Sequence, residues 1–357
     1  MSNFADILDF GRRLRARIAG AADAPIGDDE FADRAAELFH LQAAAISSLK
    51  ILALRRGLDG NAVAHWSRWP SVPTSLFKEL SLSAIPRDRR SHHFLSSGTT
   101  ADARSRHWHC AESMELYEDS LTAWFSSSVR LGGHLLLSLT PPLKEAPNSS
   151  LVHMFDHLAG VIGSGGGGFL GQVERDGAWG IRFEELYERL AGLTRPVLLV
   201  GTAFSFVHVL DDLEARGLKL GLPAGSMLLE TGGYKGRSRV LPKPELHLGM
   251  RERMGVRMGA IVCEYGMSEL SSQAYDTGPG KKAFRFPSWA RPVIVSPETG
   301  EEVGVGETGL LRIVDLANTF SVMSVQTEDL AIRMEDGFEL VGRTTEAEPR
   351  GCSLMAA

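Results

Sequence analysis

The chain carries a run of small hydroxyl and glycine residues that ends in two arginines, Phe94-Leu95-Ser96-Ser97-Gly98-Thr99-Thr100-Ala101-Asp102-Ala103-Arg104-Ser105-Arg106. A glycine at position 98 lets the backbone turn and approach a ligand with no Cβ in the way. Hydroxyls and turn N–H groups bind anions, and the guanidinium groups of Arg104 and Arg106 suit phosphate. The run therefore predicts a phosphate-binding loop, although it is not a Walker A sequence. A polar surface loop is the competing interpretation.

The composition is that of an ordinary globular protein, with 43% hydrophobic and 23% charged residues. A net charge of −6 without a long basic run indicates that the chain does not bind nucleic acid. The widely spaced Cys110, Cys263 and Cys352 indicate neither a disulfide framework nor a zinc site, and we expect a cytoplasmic protein. We expect no membrane span, since no apolar run is long enough, and no signal peptide.

Short apolar runs at 135–137, 197–200, 227–229 and 261–263 alternate with helical patterns such as 182–192 and 204–216. This alternation predicts buried parallel strands, and ligands of such sheets bind at the carboxyl ends of the strands. Helices are predicted over 4–19, from an N-cap at Asp28 to about Arg56, and over 111–129. From about residue 292, short strands and turns predict an antiparallel sheet or small barrel. Cys110 and Cys263 are predicted to be small core residues.

Further polar turns follow these strands in a fixed order: Gly232-Gly233-Tyr234-Lys235, Glu264-Tyr265-Gly266-Met267-Ser268-Glu269-Leu270, Thr327-Glu328-Asp329 and Gly342-Arg343. With the hydroxyl loop, they resemble the adenylate-forming (acyl-CoA synthetase-like) superfamily. Within it, the chain looks most like the acyl-protein synthetases of bacterial bioluminescence and phenazine-pathway adenylating enzymes. The resemblance spans about residues 65–354, including the tail Arg350-Gly351-Cys352-Ser353-Leu354.

The resemblance implies an α/β fold, the large N-terminal domain of the superfamily, with layered αβ sheets and a small antiparallel β sheet or barrel. We expect an N-terminal helical region at 1–90, an αβ nucleotide-binding core at 91–290, a small β subdomain at 291–343 and a short tail at 344–357. The mobile second domain of larger members is expected to be absent or vestigial.

The resemblance also implies how ATP and Mg²⁺ bind. Ser268 would contact the α-phosphate, and Glu269 would hold Mg²⁺, which prefers carboxylate oxygen. Asp329 would accept hydrogen bonds from the ribose, with Arg343 nearby. The β- and γ-phosphates would be held by Ser96, Ser97, Gly98, Thr99 and Thr100. The adenine would be bracketed by Gly232, Gly233 and Tyr265, with Gly266 and Met267 completing that turn.

Catalysis would depend on a cation and on a thiol. Larger members supply a lysine from the second domain; here Lys235 or Arg106 would take its place. Cys352 would receive the acyl group as a thioester, because a thiolate is the nucleophile required. The usual glycine after the Ser-Gly-Thr-Thr motif is Ala101 in this chain.

Structural roles compete with several of these assignments. Glu269 could be a carboxylate at a helix N-terminus, Asp329 could cap a turn, and Arg343 could pair with Glu346 or Glu348. Cys352 could be a tail cysteine without a role. Candidates for the wall of an acyl pocket, which a buried helix face and structural histidines would also explain, are His153, Phe155, Phe204, Phe206 and His208.

Three functions remain open. The chain could activate a fatty or aromatic carboxylic acid as acyl-AMP and pass it through Cys352 to a partner protein, such as a reductase or a carrier. It could transfer the acyl group directly to an amine, CoA or a carrier thiol. It could also bind a nucleotide without turnover.

Overall fold

The computed structural model describes residues 2–55, 57, 65–96, 104–163, 165, 167–232, 241–277 and 283–343. It divides into two compact units. Unit 1 comprises Met1–Ser127, Met267–Ala274 and Gly278–Ala357, and unit 2 comprises Ser128–Gly266 and Tyr275–Thr277. The domain boundaries expected from the sequence stay predictions.

Unit 1 begins with helices whose apolar side chains are buried on one face. Phe10 and Leu14 of the first helix and Phe31 and Leu38 of the second are fully buried, at the spacing of a helical stripe. The helices of this part of the chain are α1 (Ser2–Ala19), α2 (Asp28–Ala45), α3 (Ser47–Arg55), α4 (Leu76–Glu79) and α5 (Ala111–Ser128).

The expectation of one continuous helix from residue 28 to 56 is wrong. Ile46 has an extended backbone (φ −108°, ψ 103°), and α2 and α3 meet there at a bend of 114°. The Ile46 side chain is buried, so its apolar character fits the helical pattern while its backbone interrupts the helix. The N-cap is Gly27 rather than Asp28. Asp28 instead lies in the first turn, where the helix dipole favours acidic side chains.

The sheet of unit 1 contains a parallel edge pair and an antiparallel remainder. Its order is β1-β14-β13-β12, with β15 also paired to β14, and only β1 runs parallel to its neighbour. β14 is longer than the short strands expected in this region, at 11 residues, and its pairing with β15 shifts register after Leu330. The strands are β1 (Val72–Pro73), β12 (Ala290–Val295), β13 (Thr308–Asp315), β14 (Ser324–Met334) and β15 (Gly337–Arg343). A separate antiparallel hairpin pairs β2 (His92–Leu95) with β3 (Arg106–His109).

Unit 2 contains the predicted parallel sheet. Its order is β11-β10-β9-β8-β4-β5, and the registered pairs from β5 to β10 are all parallel. The strands are β4 (Leu135–Ser138), β5 (Gly168–Phe169), β8 (Val197–Thr202), β9 (Met227–Thr231), β10 (Ile261–Tyr265) and β11 (Ala274–Tyr275). Every residue of β4, β8 and β10 is buried, which explains why their sequences are apolar rather than alternating.

Helices pack on this sheet through a contiguous apolar core. Leu137, Leu199, Phe206, Leu213 and Met250 belong to it. The helices are α6 (Ser150–Ile162), α7 (Phe183–Leu190), α8 (Ala203–Ala215) and α9 (Lys243–Met254).

A small antiparallel hairpin in unit 2 was not predicted from the sequence. It pairs β6 (Gly171–Val173) with β7 (Trp179–Ile181). Gly171 begins it, and a Cβ at this position would lie 2.3 Å from the backbone carbonyl carbon of Thr140. Only glycine fits this close approach of two backbone segments.

No single helix among the described residues is both long and apolar enough to cross a membrane. The bent α2–α3 pair meets the test of length and composition only when its two helices are taken together.

Candidate active site

The turn after β10 presents two of the predicted site residues, Ser268 and Glu269. Both are buried in unit 1, and the Ser268 hydroxyl donates to Glu269 Oε2 at 3.0 Å. The Glu269 backbone carbonyl accepts a hydrogen bond of 2.9 Å from Asn318 Nδ2. Glu269 lies in a turn and begins no helix, so the alternative role at a helix N-terminus does not apply.

His107 of β3, in the β2–β3 hairpin, is hydrogen-bonded to the backbone of the same turn. Its Nδ1 donates to the Ser268 carbonyl oxygen at 2.8 Å, which fixes the neutral tautomer with the proton on Nδ1. Burial lowers the pKa of His107 to about 4, although the hydrogen bond to Ser268 opposes that shift. His107 is therefore a neutral donor at physiological pH.

Asn318 uses both ends of its amide inside unit 1. Besides Glu269, its Nδ2 donates to the Val322 carbonyl oxygen at 2.8 Å, and its Oδ1 accepts from the Ser271 hydroxyl at 3.1 Å. Asn318 is 1% exposed. Because each bond is buried, this side chain fixes Glu269 and Ser271 relative to the segment that ends at Val322.

Asp315 of β13 accepts hydrogen bonds from the residues that follow the Glu269 turn. Its Oδ2 accepts from the Ser271 N–H at 3.0 Å, and its Oδ1 accepts from the Ser272 hydroxyl at 2.7 Å and the Ala317 N–H at 3.0 Å. Burial raises the pKa of Asp315 to about 6, and the hydrogen bonds to its carboxylate oppose the rise. This network holds the segment after Glu269 rigidly.

The hairpin β2–β3 holds the two ends of the predicted phosphate loop. Ser96 N donates to the Ser105 carbonyl oxygen at 3.2 Å, and Ser105 N donates to Ser96 Oγ at 2.9 Å. Arg106 is exposed at the start of β3. Ser97, Gly98, Thr99 and Thr100 lie outside the described residues, as does Ala101, so their phosphate-binding role stays a prediction.

The structure brings together the two residues predicted near the ribose. Asp329 and Arg343 are opposite each other in the β14–β15 pair, and Arg343 Nε donates to Asp329 Oδ1 at 2.9 Å. Asp329 is 5% exposed, whereas the Arg343 side chain is 74% exposed. Asp329 lies within a strand and caps no turn. Glu346 and Glu348, the alternative partners of Arg343, lie outside the described residues.

The predicted adenine-binding residues of unit 2 follow two neighbouring parallel strands. Gly232 follows β9 with a φ of 70°, a conformation that favours glycine. Tyr265 is the buried last residue of β10, and the exposed Gly266 follows it. Met267, the next residue, belongs to unit 1. Gly233 lies outside the described residues.

One residue before these positions, the strands carry a buried polar pair that sequence reasoning missed. Thr231 and Glu264 are in register, and the Thr231 hydroxyl donates to the Glu264 carboxylate. Burial raises the pKa of Glu264 to about 7, and the charge of Glu230 adds to the rise, whereas the Thr231 bond lowers it. The sequence signal for this pair is its place at the predicted turns: Thr231 directly precedes Gly232, and Glu264 is the first residue of the turn that contains Tyr265.

Two of the three predicted catalytic residues, Lys235 and Cys352, lie outside the described residues. Of the candidates for an acyl pocket, Phe155 and Phe206 are fully buried, and Phe206 belongs to the apolar core of unit 2. Phe204 and His208 are half-buried on α8 with ring centroids 4.2 Å apart.

The candidate residues belong to both units. Ser96, Ser268, Glu269, Asp329 and Arg343 belong to unit 1, whereas Gly232, Tyr265 and Gly266 belong to unit 2. The convergence of these segments on a single nucleotide stays a prediction.

No protein-family profile matches the sequence, and no curated protein sequence matches it. Solved structures do match. One is 2-hydroxyisobutyryl-CoA ligase in its postadenylation state with 2-HIB-AMP: TM-score 0.67, 13% identity, covering 88% of this chain and 67% of that one. An open conformation of the same ligase with 2-HIB-AMP and CoA gives a TM-score of 0.57 at 15% identity, covering 96% and 76%.

ATP-bound MatB from Rhodopseudomonas palustris also matches, with a TM-score of 0.51 and 17% identity. The match covers 73% of this chain, which spans only about half (49%) of the length of that structure. At these identities the likeness concerns the fold. The predicted fold class is confirmed: the chain has a mixed α/β fold with several sheets, which it shares with these solved ligases.

Proposed function

We propose that this protein activates a carboxylic acid with ATP, forming an acyl-adenylate and releasing pyrophosphate. The observation that carries the proposal is the fold that this chain shares with a ligase solved with its acyl-adenylate. The predicted nucleotide-binding motifs also follow one another along this sequence in the order that the resemblance implies. The bioluminescence acyl-protein synthetases are the family whose sequence motifs the chain resembles, and fatty or aromatic acids are the proposed substrates.

In the proposed reaction, an oxygen of the substrate carboxylate attacks the α-phosphorus of ATP. The new bond is the acyl–phosphate bond of acyl-AMP, and the bond between the α-phosphorus and the bridging oxygen of pyrophosphate breaks. The electron pair of that bond leaves with pyrophosphate. No covalent enzyme intermediate is needed, so the protein contributes mainly positioning and charge neutralisation.

Ser268 and Glu269 are the residues to which this chemistry assigns the most demanding roles. The Glu269 carboxylate fits Mg²⁺, which proteins hold through one or two carboxylates together with substrate phosphates. The ion would neutralise phosphate charge. The buried bonds from His107 and Asn318 fix both backbone carbonyls of this turn, and such rigidity keeps the two side chains at a fixed position relative to the nucleotide.

Asp329 is proposed to bind the ribose hydroxyls. Arg343 donates to Oδ1 of this carboxylate, which orients it, and a carboxylate is acceptor-only when ionised, as binding to hydroxyl donors requires. Replacing Asp329 with Asn should raise KM for ATP about tenfold, the effect of losing a hydrogen bond to a charged group.

A screen for pyrophosphate release over a panel of fatty and aromatic acids tests the proposal. Wild-type protein should release pyrophosphate only when a suitable acid is present. Glu269→Gln should slow this release by at least about 100-fold, as expected for a lost electrostatic contact in the transition state. The matched control Glu298→Gln, at an exposed glutamate of the same unit, should behave like wild type. If no acid in the panel causes pyrophosphate release, the proposal is rejected.

For the second step, we propose that Cys352 receives the acyl group. Its thiolate would attack the acyl carbon, form a thioester and release AMP. Intact-mass analysis after incubation with acid and ATP should show one added acyl group, absent from the Cys352→Ser variant. Full transfer of the acyl group to an amine, CoA or carrier thiol by that variant would instead support direct transfer.

A further inference from the structure

Three ionisable side chains of unit 2 lie close together near the carboxyl ends of two parallel strands. Glu230 belongs to β9, Cys263 to β10 and His247 to α9. Among the residues that the structure describes, this is the cluster of Cys, His and acidic side chains whose ligand atoms all lie within 4.8 Å of one another. Glu230 and Cys263 are buried, and the His247 side chain is only 14% exposed. The sequence predicted Cys263 as a small core residue, and its burial is confirmed, but two of its neighbours are charged or polar.

Two of the three distances within the cluster match those of ligands around a shared ion, and the sulfur–oxygen distance is shorter than the ideal. Cys263 Sγ lies 3.2 Å from Glu230 Oε2 and 3.6 Å from His247 Nε2, and these last two atoms are 3.5 Å apart. For a tetrahedral zinc ion, the usual bond lengths place S and N about 3.6 Å apart, S and O about 3.6 Å, and N and O about 3.4 Å. As a hydrogen bond, a 3.5 Å contact between nitrogen and oxygen would be long.

The orientation of His247 argues against a nucleophile–base–acid triad. In a triad, the acid contacts one ring nitrogen and the nucleophile contacts the other. Here a single atom, Nε2, faces both Glu230 and Cys263. Cys263 is also only 1% exposed, which leaves no approach for an acyl substrate. The geometry of three atoms around one point is that of cation ligands.

The charges around the cluster also suit a divalent ion. The Glu230 carboxylate would supply one negative charge. Burial raises the pKa of the Cys263 thiol, so the sulfur would supply a second charge only when the metal displaces its proton. Lys243, whose side chain is hydrogen-bonded to Cys263, and Asp276, which accepts the Cys263 N–H at Oδ1, bring one positive and one negative charge next to the same cysteine.

We propose that Glu230, His247 and Cys263 bind a divalent transition metal of the zinc class. The donor set of one sulfur, one imidazole nitrogen and one carboxylate oxygen is typical of zinc. The ion would tie β9, β10 and α9 together directly behind Gly232 and Tyr265. Metal binding is measured without nucleotide or acid, so the inference stands independently of the proposed function.

Cobalt(II), which replaces zinc and reports its ligands spectroscopically, tests the site on the full chain after removal of bound metal with a chelator. Wild-type protein should bind one Co²⁺ with a near-ultraviolet sulfur-to-cobalt charge-transfer band and the visible bands of a tetrahedral ion. Cys263→Ser should lose the charge-transfer band and bind Co²⁺ at least 100-fold more weakly. Cys110→Ser, at the other buried cysteine among the described residues, should match wild type.

Two further measurements keep the result interpretable if Cys263→Ser folds poorly. Glu230→Gln should retain the sulfur band while weakening binding at least tenfold, and the thermal midpoint of wild-type protein should rise on adding Zn²⁺. Wild-type protein that binds no Co²⁺ would overturn the assignment. So would an unchanged charge-transfer band in Cys263→Ser.

Discussion

Replacing Asn318 with Asp tests whether the Glu269 turn is held in the way described. The change is nearly isosteric, but it replaces the Nδ2 donor by an oxygen. The carbonyl oxygens of Glu269 and Val322, at 2.9 and 2.8 Å from Nδ2, lose their donor. A new negative charge lies beside them in a site that is 1% exposed.

The expected loss of stability follows from these contacts. A buried polar group left without a partner costs about 1–3 kcal/mol, and two carbonyls are affected. With the buried charge added, Asn318→Asp should lower the free energy of unfolding by about 3–5 kcal/mol near neutral pH. A globular domain is stable by only about 5–15 kcal/mol, so the effect is large.

The pH dependence separates the charge from the lost hydrogen bonds. The introduced carboxyl should have a pKa raised in the folded state, because burial and two carbonyl oxygens disfavour its ionised form. The folded state then holds its proton to higher pH than the unfolded state. The part of the destabilisation that comes from the charge is therefore complete above the folded pKa and disappears below the unfolded value of about 3.9. Asn318→Leu, which adds no charge, should cost about 2–3 kcal/mol at every pH.

Urea denaturation of the three proteins, followed by far-ultraviolet circular dichroism across acidic to neutral pH, provides the free energies. A loss below about 1 kcal/mol for Asn318→Asp near neutral pH would refute the reasoning, since it is smaller than one unsatisfied buried group. A loss of equal size in Asp and Leu variants at every pH would refute the assigned role of charge.

Two other predictions concern the pH dependence and the packing of the fold. The pKa of His107 falls from 6.5 to about 4 on folding, so below pH 6.5 the unfolded state takes up the proton first. The free energy of unfolding should therefore fall by about 1.4 kcal/mol for each pH unit between pH 6.5 and about pH 4. Urea denaturation measures it, and His107→Asn, which keeps a donor at the Nδ1 position, should not show this part of the pH dependence. Gly171→Ala should lower the free energy of unfolding by about 1–3 kcal/mol, because its Cβ would collide with the Thr140 backbone. Gly132→Ala, with nothing within 4 Å of the new Cβ, is the control and should change stability far less.

The parallel sheet could be predicted from the sequence because its strands are short, wholly apolar and followed by polar turns. The helix break at Ile46 could not, since an apolar residue at that position satisfies the helical pattern whatever its backbone conformation. The β6–β7 hairpin has no alternating apolar pattern, and its position depends on a close approach between Gly171 and Thr140 that local sequence does not reveal.

Sequence reasoning named candidate site residues only where they lie in motifs. Asp329 and Arg343 were assigned to the same part of the site, and the structure pairs them across two strands; their role at a ribose stays a prediction. His107 and Asn318 are distant in sequence from Glu269 and acquire their roles only through tertiary contacts. The same holds for Glu230, His247 and Cys263, whose spacing matches no metal-binding motif and which three separate elements bring together.

The central claim is that a carboxylate oxygen attacks the α-phosphorus of ATP, and isotope transfer measures this directly. The protein is incubated with ATP and an acid that carries heavy oxygen in its carboxylate, and the acyl group is then released to water or a thiol. We predict that AMP recovered from the reaction carries one heavy oxygen atom, while the pyrophosphate carries none. Formation of ADP and labelled phosphate, or AMP without label, would contradict the account.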